Sequence, residues 1–293
     1  MSIYLTGASG FVGKNLISYF KNKIEIKKHV RDSEFLIKEK TVIHLAGKAH
    51  DLKNSSNKDE YYEVNTELTK QIFDSFLTSD SRVFIYMSSV KAVADSVVGI
   101  LSEDYVPNPK THYGKSKLLA ERYILSKKIP NNKRVYILRP CMIHGPNNKG
   151  NLNLLYSFVA RGIPYPFGKY ENQRSFVSVE NLCFVISQLI EKHNTPSGVY
   201  NIADDHVLST KELVTIIGEV IGRKPIILNL PKGLVRLLAK IGDSMPFPIN
   251  SHRLDKLTES YVVSNSKIKK ALQIQLPLSS RKGLKLTIES FKL

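Results

Sequence analysis

The stretch TGASGFVG, residues 6–13, decides the fold class of this chain of 293 residues. It follows a short apolar run at 2–5, which predicts a strand, and apolar residues at helical spacing begin inside it and continue to Phe20. Glycines at these positions permit a tight turn, let backbone N–H groups approach a pyrophosphate, and allow helix and strand to pack closely. The stretch therefore predicts a strand, a phosphate-binding turn and a helix.

Strands and helices alternate beyond this turn. A helix carrying Leu68, Ile72 and Phe76 and another at 115–128 separate the later strands. This order predicts an α/β protein with a doubly wound parallel sheet, the Rossmann arrangement. The predicted strands that follow the first one lie at 24–30, 41–45, 82–87 and 135–138.

The second half of the chain is less regular. After Pro140, short strands alternate with helices, and Pro and Gly are frequent. We expect a dinucleotide-binding domain at 1–168, completed by about 176–204. Residues 145–175 and 205–293 are expected to form a smaller C-terminal α/β domain that binds the substrate. The helices predicted in this half lie at 152–161, 179–192, 210–221 and 234–241.

Composition places the chain among globular proteins with excess positive charge. Its residues are 42% hydrophobic and 24% charged, which excludes collagen, coiled coil and a disordered chain. Lys and Arg number 43 against 26 Asp and Glu, a net charge of +17, and ten units of this excess lie after Ile221. Such charge attracts anions. The sequence has no nucleic-acid recognition module, so no nucleic acid is expected as a partner.

Compartment and metal content are inferred from what the sequence lacks. It shows neither an apolar leader of signal-peptide length nor an apolar run near the roughly 20 residues of a membrane helix. Cys141 and Cys183 have no spacing typical of a zinc or redox site. We therefore expect a cytoplasmic protein with two buried thiols and no metal.

A tyrosine and a lysine four residues apart carry the first chemical signal. Tyr113 and Lys117 fall on one face of a helix. An ammonium near a phenol favours the phenolate, which moves the tyrosine pKa towards proton transfer near neutral pH. Ser88 and Ser89 follow the strand predicted at 82–87, where side chains of a doubly wound sheet reach the ligand crevice.

Together these motifs resemble the extended short-chain dehydrogenase/reductase superfamily, and within it the NAD-dependent epimerase/dehydratase family, whose members act on nucleotide sugars. The resemblance covers nearly the whole chain and implies a homodimer. Its segments are TGASGFVG at 6–13, HLAG at 44–47, VNT at 64–66, SS at 88–89, Tyr113 with Lys117, LRP at 138–140 and RSFV at 174–177.

The resemblance implies three catalytic residues. Tyr113 is expected to exchange a proton with a sugar oxygen, and Lys117 to bind the nicotinamide ribose and lower the tyrosine pKa. Ser89 is expected to hydrogen-bond the same sugar oxygen. Ser88 is the alternative to Ser89, but successive strand residues point in opposite directions, and Ser88 is expected to face the other side or the cofactor.

Substrate contacts are implied in the same way. Ser89 and Tyr113 are expected to touch the sugar, and Arg174 its diphosphate through charge-assisted hydrogen bonds. A solvated loop arginine is the alternative for Arg174. Asn151 is expected to touch the nucleotide or the sugar, with a role in a turn as the alternative.

The cofactor implied is NADP(H) or NAD(H). Arg31, at the end of the second predicted strand, suits a 2′-phosphate and so favours NADP(H), whereas Asp32 suits an unmodified ribose. Asn65 resembles the asparagine that supports the lysine. The residues expected to bind the cofactor are Gly7, Ser9, Gly10, Phe11, Val12, Gly13, Arg31, Leu45, Ala46, Gly47, Asn65 and Lys117.

Three interpretations of the function are open. Residues 151–174 resemble a subgroup of bacterial polysaccharide enzymes, so the first is a 4-keto-reductase of a UDP-4-keto-6-deoxy-N-acetylhexosamine in surface polysaccharide biosynthesis. Arg31 favours it, because a reductase exchanges its cofactor. The second is a UDP-hexose or UDP-N-acetylhexosamine 4-epimerase with the same catalytic residues. The third is a non-catalytic NADP-binding scaffold, against which the intact catalytic residues argue.

A basic stripe near the C-terminus has two interpretations. Lys232, Arg236 and Lys240 recur at four-residue spacing beside apolar residues. Peripheral contact with an anionic membrane is one interpretation. An ordinary amphipathic helix that covers the substrate domain is the other, and it is favoured.

Overall fold

The computed structural model describes residues 2–30, 33–48, 57–148, 150–244 and 250–291, without the side chains of Asn151, His252 and Arg253. Its strands are β1 (Ser2–Thr6), β2 (Glu25–Lys28), β3 (Thr41–His44), β4 (Val83–Met87), β5 (Ile100–Leu101), β6 (Arg134–Pro140), β7 (Met142–His144), β8 (Phe176–Ser178), β9 (Gly198–Ile202) and β10 (Val262–Val263). Its α-helices are α1 (Phe11–Tyr19), α2 (Lys58–Tyr62), α3 (Leu68–Thr78), α4 (His112–Ser126), α5 (Asn151–Ala160), α6 (Val179–Glu191), α7 (Thr210–Ile221), α8 (Lys232–Ser244), α9 (Ser251–Thr258), α10 (Ser266–Leu272) and α11 (Ser280–Glu289).

The central feature is a parallel sheet in the order β2-β1-β3-β4-β6-β9. The chain leaves β1 for β2 on one side and returns to β3 on the other side of β1, so the strand order reverses between β1 and β3. In such sheets ligands bind at the carboxyl ends of the strands beside this reversal. The predicted doubly wound sheet is confirmed.

Both faces of the sheet are covered, which explains why its inner strands are apolar throughout. Alternate residues point to opposite faces: Ile3 and Ile85 pack on the side of α1 and α6. Tyr4, Phe84 and Tyr86 pack on the other side, against α3 and α4. The strands are thereby held rigidly at the edge where the site forms.

A further hydrophobic cluster lies among the elements that follow β7. Helices α5, α7, α8 and α11 contribute to it, for example through Ile217 and Leu284. Helix α8 turns inward with Val235, Ala239 and Gly242, which are its buried residues. The apolar residues beside the basic stripe are exposed instead. Helix α8 therefore does cover the cluster, but not with the apolar residues that the favoured interpretation assigned to this contact.

Short strand pairs connect distant parts of the chain. Strand β7 pairs with β8, and β5 pairs with β10, all in parallel. The β5–β10 pair joins Ile100 to Val262, far apart in sequence. No helix in the described ranges combines the length and apolar character needed to cross a membrane.

Candidate active site

The glycine turn between β1 and α1 is closely packed on β3. Gly7 has a φ of +70°, and a Cβ there would lie 2.6 Å from the Ala46 nitrogen. A Cβ on Gly13 would collide with the Gly7 carbonyl oxygen, so helix and strand approach closely only because both residues are glycine. Gly10 donates its N–H to the Gly7 carbonyl at 3.0 Å, which closes the turn.

The first turn of α1 suits an anion. Gly10 begins the helix, and among the described residues no side chain caps it and no acidic residue occupies its first turn. Ser9 and Gly10 are exposed, while Phe11 and Val12 are partly buried. Unpaired N–H groups and the helix dipole at such an end favour a phosphate. The turn and the helix end together fit the pyrophosphate of a dinucleotide.

The end of β3 is held by a buried histidine. His44 lies 2.7 Å through Nδ1 from Thr6 Oγ1 and 2.9 Å through Nε2 from Thr69 Oγ1. Ala46 donates its N–H to the same Thr6 oxygen at 3.2 Å. Burial, with the charge of Lys117, lowers the pKa of His44 to about 3, so the ring is neutral at pH 7. This network positions Leu45, Ala46 and Gly47 beside the glycine turn.

Asn65 lies in a π-helical turn, Glu63–Glu67, between α2 and α3. Its Oδ1 accepts the N–H of Lys48 at 2.8 Å, and its amide donates to Ser116 Oγ at 3.0 Å. A Cβ on Gly47 would lie 2.9 Å from both Asn65 Oδ1 and Lys117 Nζ. Asn65 and Lys117 therefore meet at Gly47, where a larger residue would displace their side-chain ends.

Ser89 and Tyr113 meet at the carboxyl end of β4. The Ser89 hydroxyl accepts the N–H of Lys91 at 3.2 Å where a 3₁₀ turn, Val90–Ala92, begins. Burial raises the pKa of Tyr113, and the neighbouring Ser89 hydroxyl opposes this rise. Burial, rather than the charge of Lys117, thus sets the direction of the shift, unlike the expected lowering.

Lys117 is buried one helical turn beyond Tyr113. Its Nζ donates to the carbonyl oxygen of Met87 at 2.9 Å and lies 5.0 Å from the centre of the Tyr86 ring. Burial lowers the pKa of Lys117 to about 8, and the negative charge of Glu121 opposes this effect. The ammonium is therefore anchored to the strand that ends at the serines.

Ser88 faces a different partner from Ser89, as strand alternation predicts. It donates a short hydrogen bond to Glu121, one turn after Lys117 on α4. Arg139 of β6 pairs with the same carboxylate, with Nη2 2.5 Å from Oε2 and Nε 2.9 Å from Oε1. This buried ion pair was not predicted, and the only sequence signal for it is an acidic residue four positions after the lysine.

Arg174 lies around α9, and its charge acts on Lys91, two residues after Ser89. It is partly buried and donates through Nη1 to the Lys256 carbonyl at 2.7 Å. Burial lowers its pKa, and the charge of Glu259 opposes this. An open depression of about 440 Å³ beside it is lined by Asp255, Lys256, Thr258 and Glu259.

Two of the predicted site residues lie outside what the structure describes. These are Arg31 and the side chain of Asn151, the first residue of α5.

Lys91 is a residue near Ser89 to which the sequence analysis gave no role in the site. Its Nζ donates to the Asp95 carbonyl at 2.6 Å and lies 4.2 Å from the ring centre of Tyr261. Tyr261 in turn donates to the carbonyls of Val90 and Ala94, at 3.3 and 2.8 Å. The turn that follows Ser89 is therefore fixed by a residue near the C-terminus.

The thiols of Cys141 and Cys183 are buried, as predicted, and burial raises the pKa of both.

Comparison with known proteins extends over the whole chain. The NAD dependent epimerase/dehydratase family matches residues 31–203. The UDP-glucose 4-epimerase of Vibrio cholerae is 31% identical over 99% of this chain and 95% of its own length. The N-acetyl-alpha-D-glucosaminyl-diphospho-ditrans,octacis-undecaprenol 4-epimerase of Escherichia coli O157:H7 is 28% identical over 92% of this chain and 85% of its own length.

A solved structure shows the same fold. MoeE5, in complex with UDP-glucose and NAD, has a TM-score of 0.76 at 20% identity and covers 100% of this chain and 99% of its own. The match to the family and the 31% identity over nearly the full length agree with the sequence motifs and with the sheet. This chain belongs to the NAD dependent epimerase/dehydratase family, and it is an enzyme of that family.

Proposed function

We propose that this enzyme interconverts the two configurations at C4 of a nucleotide-linked hexose, as a 4-epimerase that uses a nicotinamide cofactor. The observation that carries the proposal is the Ser89 hydroxyl next to the Tyr113 phenol, one helical turn before the buried ammonium of Lys117. The relative from Vibrio cholerae, at 31% identity over 99% of the chain, supports 4-epimerisation among the reactions of the family.

The residues present fit a dinucleotide. The glycine turn and the uncapped first turn of α1 would hold the pyrophosphate, and Gly47, Asn65 and Lys117 would hold the nicotinamide ribose. The crowding that a Cβ would cause at Gly7 and Gly47 supports this assignment. When bound, the nicotinamide supplies a hydride acceptor and donor for C4.

We propose Tyr113 as the proton-transfer group. As the phenolate it would take the proton of the 4-hydroxyl, and as the phenol it would return it, while the Ser89 hydroxyl orients the same oxygen. The Lys117 ammonium, anchored to the Met87 carbonyl, stabilises negative charge that develops on the phenol oxygen. This support is lost above the Lys117 pKa of about 8.

A second candidate is the 4-keto-reductase of a UDP-4-keto-6-deoxy-N-acetylhexosamine in surface polysaccharide biosynthesis. The basic residue Arg31 favours it, because a side chain that pairs with a 2′-phosphate suits an exchangeable NADP(H). Tyr113 would then only donate its proton to the new hydroxyl. The same three side chains serve both candidates.

The substrate carries a diphosphate in either case, and Arg174 is proposed to bind it. Residues 145–175 and 205–293 are proposed to form the substrate-binding domain, with 1–168 and about 176–204 binding the cofactor. A homodimer is proposed on the family resemblance. Two substrate forms are open: a UDP sugar, as bound by MoeE5, or a polyprenyl diphosphate sugar, as named for the relative from Escherichia coli.

One experiment separates these candidates. The purified enzyme is incubated with UDP-N-acetylglucosamine without added cofactor, and with UDP-4-keto-6-deoxy-N-acetylhexosamine plus NADPH or NADH. A C4 epimer in the first reaction supports the epimerase, and oxidation of NADPH in the second supports the reductase. The same assay with undecaprenyl diphosphate N-acetylglucosamine tests the lipid-linked form.

Matched tyrosine variants test the mechanism. Tyr113→Phe should lose more than about a hundredfold in turnover, the scale of general acid–base catalysis. Tyr123→Phe removes a phenol on the same helix, one that donates to Asp74 on the surface, and should keep turnover. Equal turnover of wild type and Tyr113→Phe would refute the assignment of the proton-transfer group.

A further inference from the structure

Helix α8 leaves four large apolar side chains in water. Leu234, Leu237, Leu238 and Ile241 are 44%, 56%, 39% and 45% exposed, and we call them the apolar flank. Single exposed apolar residues are ordinary on protein surfaces, whereas a contiguous apolar strip marks an interaction site. These four lie within about two turns of one helix.

The opposite flank of the same helix is cationic. At about 100° per residue, the inward residues of α8 share one face, and the apolar flank lies on one side of it. Three bases lie on the other side, and we call them the cationic flank: Lys232, Arg236 and Lys240. The outward half of α8 thus combines most of both flanks, whereas Leu238 and Lys232 lie closer to its inward face.

We propose that the outward half of α8 docks on an anionic lipid bilayer. The apolar flank would enter the boundary between headgroups and acyl chains, and the cationic flank would pair with lipid phosphates. The net charge of +17 adds long-range attraction to such a surface. A helix of 13 residues is shorter than the roughly 20 that span a bilayer, so α8 lies along the surface.

Charge favours lipid over a second copy of the chain as the occupant. A two-fold contact brings the same patch of both copies together, so the two cationic flanks would approach each other. Asp243 is the acidic residue of α8, and it already accepts hydrogen bonds from Ser251, at 2.8 Å from N–H and 2.6 Å from Oγ. An anionic lipid surface supplies the opposite charge that a second copy lacks.

Vesicle flotation tests the proposal with the full-length enzyme. Vesicles of phosphatidylcholine are compared with vesicles that also contain phosphatidylglycerol, at low and high salt. The wild type should float with the anionic vesicles at low salt and be released by high salt. Binding needs no turnover, so this result and the epimerase assay can fail separately.

Two double variants separate the flanks. Leu237→Gln with Ile241→Gln should weaken binding to anionic vesicles by about thirtyfold, the effect of withdrawing two half-exposed aliphatic side chains from the acyl boundary. Arg236→Gln with Lys240→Gln should weaken it by a similar factor and reduce the salt dependence, since each base near the surface contributes about fivefold.

Matched controls carry the same chemical changes elsewhere. Val98→Gln with Leu154→Gln alters two exposed apolar residues outside α8, and Lys21→Gln with Lys128→Gln alters two exposed lysines. Both controls should bind like the wild type, and thermal melts should show that all variants are folded. No flotation at low salt, or an equal loss in the control variants, overturns the proposal.

Light scattering after gel filtration decides between lipid and self-association. A molecular mass that rises with protein concentration in the wild type but not in Leu237→Gln with Ile241→Gln would assign the apolar flank to a second copy and overturn the lipid assignment. A mass unchanged by that substitution, together with its loss of flotation, supports docking on lipid.

Discussion

Removing one partner of the buried ion pair between Glu121 and Arg139 should destabilise the fold strongly, whereas removing both partners should change its stability little. Glu121 is 0% and Arg139 is 4% exposed, so neither charge has water to replace a missing partner. Glu121→Leu leaves the guanidinium uncompensated and should lower the free energy of unfolding by about 3–5 kcal/mol. Arg139→Met leaves the carboxylate uncompensated and should cost a similar amount.

Removing both charges should restore most of this stability. Glu121→Leu with Arg139→Met replaces the pair by apolar side chains of similar length, a change that is often neutral. The Ser88 hydroxyl, which donates to Glu121, then lacks its acceptor and should cost about 1–3 kcal/mol. Adding Ser88→Ala should remove that remaining cost.

Urea unfolding followed by circular dichroism measures these free energies, with an unchanged m-value as the sign of comparable unfolding. Lys133→Met is the control, because this buried lysine donates to the carbonyls of Phe76, Ser79 and Ser81. The free energy of unfolding lost in Lys133→Met should not depend on the ion pair. It should therefore add to the loss caused by Glu121→Leu or Arg139→Met. A double variant that loses the sum of both single losses would refute the coupling of the two charges.

Three further predictions concern pH and backbone geometry. Turnover should fall as the pH rises through about 8, because Lys117 then loses its charge, and a pH–rate profile with a flat alkaline limb would contradict this. The pKa of His44 is about 3 in the folded protein and about 6.5 for an ordinary histidine, so the unfolded state takes up the proton first. Stability should therefore fall as the pH drops below about 6.5, by up to about 1.4 kcal/mol per pH unit, and His44→Asn should flatten that slope in acid unfolding curves. Gly7→Ala should abolish binding of the nicotinamide cofactor in calorimetry and destabilise the fold, whereas Gly99→Ala, also at positive φ but with no atom within 4 Å of its Cβ, should keep binding and cost only about 1 kcal/mol.

The fold was largely predictable because its elements have strong local signals. The glycine turn and the buried strands at 41–45 and 82–87 specify alternating strand and helix, and the observed sheet follows. Helix α4 begins at His112, three residues before the predicted start, because the Thr111 side chain accepts the N–H of Gly114 at 3.2 Å and caps it. The π-helical turn at Asn65 has no comparable local pattern, and it was not predicted.

The relative placement of the candidate residues was predictable where strand and helix periodicity act on neighbouring residues. Alternation separated Ser89 from Ser88, and helical spacing put Tyr113 and Lys117 together. The Glu121–Arg139 pair depends on how α4 packs over β6, which periodicity does not specify. The raised pKa of Tyr113 likewise depends on burial by tertiary contacts. On α8 the sequence pattern was amphipathic, but only packing shows that Val235 and Ala239, rather than the leucines, face inward.

The hydrogen bonds from Tyr261 to the turn after Ser89 have a consequence for synthesis on the ribosome. The hydroxyl of Tyr261 reaches carbonyls 171 and 167 residues earlier, and β10 beside it pairs with β5. Contacts of such long sequence separation form late in folding. Most of the parallel sheet can assemble while the chain is still emerging, but the serine turn can be locked only after Tyr261 and β10 have left the exit tunnel. A nascent chain arrested before that point would carry a folded sheet with an unsecured catalytic turn.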